Sequence, residues 1–114
     1  MFIIGELING MYKNIGQAIK NKDKAVIQKC ALEQARAGAC ALDVNCGPAS
    51  ANPVKDIQWL VEAVQEVTDK IICVDSSKPQ VIESALSVLK NKAIINSTTA
   101  DEDKLRLLVP LAKK

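Results

Sequence analysis

Short apolar runs alternate along this chain with segments whose apolar residues recur every three or four positions. Four runs stand out, at residues 2–4, 39–44, 71–74 and 93–95. Each is short and almost unbroken, the pattern of a strand buried on both faces. Between the first two, a short helix is expected over residues 14–20. A longer one follows in "KAVIQKCALEQARAG", with Asp23 as its cap, Val26, Ile27, Cys30 and Ala31 on one face, and Gly38 as its stop. After the second run, Asn52 caps a helix that has Pro53 at its first position. Its stripe is Ile57, Leu60, Val61, Val64 and Val67. Trp59 lies off the centre of that stripe and reads as a packing or interface residue. Pro79 opens the next helix, with Ile82, Ala85, Leu86 and Leu89 on one side. After the fourth run, Asp101 is expected to cap a last helical segment through "LRLLVPLAKK", kinked or ended at Pro110.

The resulting order is βαβαβαβα, which implies parallel strands joined by right-handed helical crossovers. In such folds the site forms at the C-terminal edge of the strands, where the loops converge. The first run gives way there to Gly5-Glu6, with Asn9 close behind. The second ends on Asp43 and Asn45, the third on Asp75, the fourth on Asn96. Each strand therefore delivers a carboxylate or carboxamide at one edge. Carboxylates accept hydrogen bonds and carboxamides both donate and accept. A set of this kind suits a flat, neutral heterocycle rich in N–H and NH2 groups. A phosphate would call instead for Gly-rich loops, Lys or Arg. Taken singly, each of these residues also reads as an ordinary turn or cap residue.

Composition narrows the field further. The chain has 114 residues, a length suited to one domain spanning 1–114. With 48% hydrophobic and 25% charged residues it has the composition of a soluble globular protein. Net charge is only +2, the basic residues are scattered and aromatics make up 3%, so nothing resembles a nucleic-acid surface. No apolar run approaches a membrane span, and "MFIIGE" is too short for an export signal. No metal site is expected: there is no histidine, and Cys30, Cys40, Cys46 and Cys73 form no C-x-x-C pair. These cysteines read as buried thiols of a reducing cytoplasm. Cys46 stands apart, because its Gly/Pro loop suggests exposure.

The same strand-end residues carry a family resemblance. "GELING", "LDVNCGP", "CVDSS" and "INSTTA", in that order, resemble the pterin-binding methyltransferases. The methyltetrahydrofolate:corrinoid/iron–sulfur protein methyltransferases are the nearest in kind; the folate domain of cobalamin-dependent methionine synthase and dihydropteroate synthase are more distant. The resemblance implies a pterin lying across the C-terminal mouth of a TIM barrel, its pyrimidine edge held by carboxylate and amide side chains. Asp75 and Asn96 match the ring-binding positions, as does Glu6. Asn9, Asp43 and Asn45 match motif positions that orient them. Leu7 stands where family members usually carry arginine. The resemblance implies methyltetrahydrofolate as methyl donor and a cobalt corrinoid on a partner corrinoid/iron–sulfur protein as acceptor. The N5-methyl group would pass from the one to the other.

A TIM barrel needs about 250 residues and eight βα units. This chain supplies four. The expected architecture is therefore α/β, a parallel (βα)4 half of a TIM barrel, read as the N-terminal half of such an enzyme. Half a barrel leaves open strand edges. A homodimer, or pairing with a complementary half barrel, would close them. Three alternatives remain. One is a non-catalytic half-barrel fragment or scaffold. A second is a dihydropteroate synthase-like enzyme, although its Asn-x-Thr-Pro pattern is absent from "GELINGMYK". The third is a receiver-like domain with Asp75 as phosphoacceptor.

Overall fold

The computed structural model describes residues 3–47, 50–76, 78–90, 93–98 and 104–109. Phe2, Asp101 and Pro110 lie outside them. Four parallel strands alternate with helices: β1 (Ile4–Asn9), α1 (Lys13–Asn21), α2 (Lys24–Arg36), β2 (Ala41–Asn45), α3 (Pro53–Gln65), β3 (Ile71–Asp75), α4 (Pro79–Leu86) and β4 (Ala93–Thr98). This is the expected α/β arrangement of half a TIM barrel. The strands lie in sequence order, β1-β2-β3-β4. With right-handed crossovers, sequential order carries every helix to the same face of the sheet. A receiver domain winds its sheet in the order 2-1-3-4-5. The observed order removes that alternative.

The helix-facing side of the sheet is apolar. Ile8, Leu42, Val44, Ile72 and Val74 are 2% exposed or less and join one core with Ile15, Ile27, Ile57, Leu60 and Val64 from the helices. Because strand residues alternate between faces, Asp43 and Cys73 are turned to the opposite side. The helix ends largely follow their local chemistry. The Asn52 side chain accepts a hydrogen bond from Lys55 N–H, and Pro53 and Pro79 each start a helix. Asp23 occupies the N-cap of α2 but makes no side-chain capping bond. Gln65 ties α3 to the turn after α4. Its amide donates to the Val88 carbonyl at 3.0 Å, and its oxygen accepts from Lys90 N–H at 2.8 Å.

Two expectations about elements are corrected. The segment expected as a last helix is instead β5 (Lys104–Val109), paired antiparallel to β4 with Asn96 opposite Arg106. Its residues alternate Lys104, Leu105, Arg106, Leu107, a period of two that suits a strand. The outer edge of β4 also presents backbone groups that need partners. Second, β1 does not end at Glu6 but runs on to Asn9. Gly5 pairs with Leu42 and Ile8 with Val44, so β1 carries one extra residue between them, a bulge containing Glu6 and Leu7. The bulge meets α2: Leu7 N–H donates to the Gln34 side-chain oxygen at 3.1 Å. Gln34 is itself buried, and a Cβ on Gly5 would collide with its side chain.

Candidate functional site

Strand register gathers most of the predicted residues. Asn9 pairs with Asn45 across β1 and β2. Val44 pairs with Val74, which sets Asn45 level with Asp75. Asp75 pairs with Asn96. Asn9, Asn45, Asp75 and Asn96 thus form a single cross-strand row at the C-terminal end of the four parallel strands. One pleat deeper, Asp43 pairs with Cys73 and is 5% exposed. It lies beneath the row on the face turned away from the helices. Glu6 is not part of the row. It sits in the β1 bulge and is exposed. An apolar run that simply stops at residue 4 gives no sign of a bulge, and so the sequence put Glu6 at the rim.

The two asparagines also build the rim that carries them. Asn9 Oδ1 accepts from Met11 N–H at 2.9 Å, and Asn45 Oδ1 from Gly47 N–H at 2.8 Å. Both are side-chain turns of the type asparagine favours after a strand. Each amide keeps its NH2 donors and one lone pair for other contacts. Gly10 N–H donates to the Asn45 carbonyl at 2.8 Å, locking the loop after β1 to the end of β2. The approach is so close that a Cβ on Gly10 would overlap the Cys46 carbonyl. A Cβ on Gly47 would lie 2.6 Å from the Gly10 carbonyl carbon, and Gly47 has a φ of 82° that only glycine adopts at low cost. After β3, the Ser76 hydroxyl oxygen accepts from Lys78 N–H at 3.0 Å, turning the chain into α4.

Cys46 is not exposed. It is 8% accessible and its thiol faces the Pro53 carbonyl at 3.7 Å. Burial, with the nearby Asp56 carboxylate, pushes its pKa up to about 12. A thiol held neutral in this way is no nucleophile. Its neighbour Asp56 is paired with Lys22, and the Ser50 hydroxyl donates to its other oxygen at 2.6 Å. Lys22 also lies over the Trp59 ring, 5.3 Å from its centroid. Trp59 is therefore a packing residue that joins α3 to the end of α1. Nothing local in the sequence announces this network, because Lys22 meets a carboxylate 34 positions away.

Among the described residues no cluster of His, Cys, Asp and Glu could hold a metal ion, and no helix is long and apolar enough to cross a membrane. What the rim offers is acceptors and amides on rigid strand ends. The arrangement can orient a planar polar ring by hydrogen bonds; it displays no nucleophile–base pair.

The profile of the family described as "Pterin binding enzyme" matches residues 13–114. The chain belongs to the pterin-binding enzyme family. It is also 34% identical over 111 residues to a methylcorrinoid:tetrahydrofolate methyltransferase of Eubacterium limosum. The match takes in 97% of this chain and 41% of that protein's length.

Proposed function

We propose that residues 1–114 act as the N-terminal half of a pterin-binding (β/α)8 barrel that transfers a methyl group between N5 of a tetrahydrofolate and the cobalt of a corrinoid on a partner protein. The observation that carries the reading is the row Asn9, Asn45, Asp75 and Asn96 at one level of four adjacent strand ends. Asp75 accepts from the ring's N–H and NH2 groups and Asn96 both donates and accepts, so the two fix its orientation. Asp43 lies beneath them, and Asn9 and Asn45 hold the rim. Glu6, displaced into the bulge, contributes at the edge of the ring.

In the transfer to a cobalt(I) corrinoid, the methyl–N5 bond breaks with its electron pair left on N5, which takes a proton, and the cobalt(I) substrate supplies the pair that forms the methyl–cobalt bond. Without that proton the amine is a poor leaving group. The strand ends serve by orientation, holding N5 toward the approaching cobalt. The relative's name places the methyl group on the corrinoid, and one site serves both directions by microscopic reversibility. The partner proposed is a corrinoid/iron–sulfur protein in the cytoplasm. The open edge of β1 is closed by a second copy or by a complementary half barrel. Light scattering tests the second copy, for which a monomer at every concentration is the adverse result.

The binding test is calorimetry with tetrahydrofolate on this chain and on Asp75→Ala. Saturable binding, weakened in the variant, is expected. A folded chain that takes up no tetrahydrofolate would end the reading. A second reading rests on the 41% coverage of the relative: the chain binds the pterin and does not turn it over. Methyl transfer to a corrinoid protein, measured beside binding, separates the two.

A further inference from the structure

Beside the row lies a cleft of about 610 Å³ between α1 and the segment that links β2 to α3. Gly10 and Cys46, the residues that directly follow Asn9 and Asn45, form part of its wall. Ile19 adds an apolar surface, and three lysines, Lys13, Lys20 and Lys22, line it with a single carboxylate, Asp56. Lys22 is paired with Asp56. The positive charge of Lys13 and Lys20 is therefore uncompensated by any other acidic residue among those lining the cleft. The pterin row wants hydrogen-bond donors; this cleft, at one end of that row, wants an anion with an apolar stem.

We propose that the cleft receives the tail of a folate, its aryl group on the apolar wall and its γ-linked glutamates on Lys13 and Lys20. The proposal rests on the pterin-binding reading above and extends it to the other end of the substrate. The spans agree. From β4 to β1 is three strand spacings of about 4.8 Å, or about 14 Å in all. With the ring at Asp75 and Asn96 and its tail laid along the row, the tail would reach Asn9 and Gly10. Several exposed ion pairs acting together, each weak, favour a tail with several glutamates over one with a single glutamate.

Three ligands test this by calorimetry on the chain and on the double variant Lys13→Gln/Lys20→Gln: a tetrahydropterin without a tail, tetrahydrofolate with one glutamate, and tetrahydrofolate with five. The pentaglutamate is expected to bind roughly tenfold tighter than the monoglutamate. The double variant should lose that advantage and keep its affinity for the tail-less pterin. Equal affinity for the two folates, or an advantage that survives in the variant, overturns the proposal. Failure of the tail-less pterin to bind is the separate failure of the pterin reading. Free penta-γ-glutamate gives an independent measure, because Trp59, the only tryptophan, lies beneath Lys22, and Lys22 lines the cleft. Its emission should change in the chain and not in the variant. No change at millimolar peptide overturns the proposal whatever the pterin does. So does full competition by inorganic phosphate at equal ionic strength, since the cleft would then take any anion.

Discussion

Asp75 and Asn96 are register partners, the last residue of β3 beside the fourth residue of β4. Neighbouring strands lie about 4.8 Å apart. A carboxylate and a carboxamide at that spacing can reach adjacent groups on one edge of a heterocycle. Replacing Asp75 by alanine removes a charged acceptor, and such hydrogen bonds contribute about 1.5–3 kcal/mol. Tetrahydrofolate affinity is therefore expected to fall by roughly ten- to a hundredfold in Asp75→Ala, and by less in Asn96→Ala, which loses neutral bonds. Calorimetry measures both, with far-UV circular dichroism confirming an unchanged fold. Unaltered affinity in both variants would remove these residues from the site.

The β1 bulge depends on a glycine facing a glutamine. Gly5 leaves the space that the buried Gln34 side chain occupies, and Gln34 in turn satisfies Leu7 N–H. A methyl group on residue 5 forces that side chain away and leaves a backbone donor without its acceptor. Gly5→Ala is expected to lower stability by about 1–3 kcal/mol in urea unfolding. If the collision with Gln34 is the cause, the double variant Gly5→Ala/Gln34→Ala will be less destabilised than the sum of the two single changes. Strict additivity would place the cost of Gly5→Ala elsewhere.

Parallel strands with unbroken apolar runs were legible because burial on both faces leaves no room for polar alternation. Asp43, Asn45, Asp75 and Asn96 could be picked out for the same reason: each interrupts or ends such a run. Glu6 was misplaced because a bulge is a relation between two strands, and Ile8, which continues β1, follows two residues that break the apolar pattern. The last segment was misread because "LRLLV" fits either period over so few residues, and pairing with the open edge of β4 decided the outcome. Cys46 was expected at the surface from its Gly/Pro neighbours. Its burial follows instead from the contact of its backbone with Gly10, a residue 36 positions away that nothing local predicts. The lysine cleft escaped for a like reason, since α1 and the loop before α3 meet only in the folded chain.

Two glycines with positive φ separate strain from close contact. Gly38 has a φ of 105° and open space around its Cα, whereas Gly47 has a φ of 82° and the Gly10 backbone within 2.6–2.9 Å of where a Cβ would sit. Alanine at position 38 carries backbone strain alone, about 1 kcal/mol or somewhat more. Alanine at position 47 adds displacement of the loop after β1, and no flexible side chain is there to yield. Gly47→Ala is thus expected to be the more destabilising of the two and, unlike Gly38→Ala, to weaken tetrahydrofolate binding by moving Asn9 and Asn45. Thermal melts and calorimetry on both variants check the order. The same loss in each would mean that the close approach adds nothing.

Cys46 makes stability depend on alkaline pH. Its thiol titrates near 8.5 in an unfolded chain, and burial pushes it up to about 12 in the folded protein. The folded state therefore holds its proton where the unfolded state has lost it. The contribution is fully present below about pH 8.5, declines as pH rises through the interval, and is gone above about 12. Comparison with Cys46→Ala isolates the thiol from every other contribution to the pH dependence. At pH 8 the alanine variant should be the weaker by about 1 kcal/mol, having lost a buried sulfur atom. Between pH 8 and pH 10.5 the gap should narrow and then reverse, since only the native chain must keep a thiol neutral against rising pH. Urea titrations of the two proteins at half-unit steps measure this. Parallel stability curves across the interval would show that the thiol has the same pKa folded and unfolded, and that the loop opens to solvent far more readily than its burial implies.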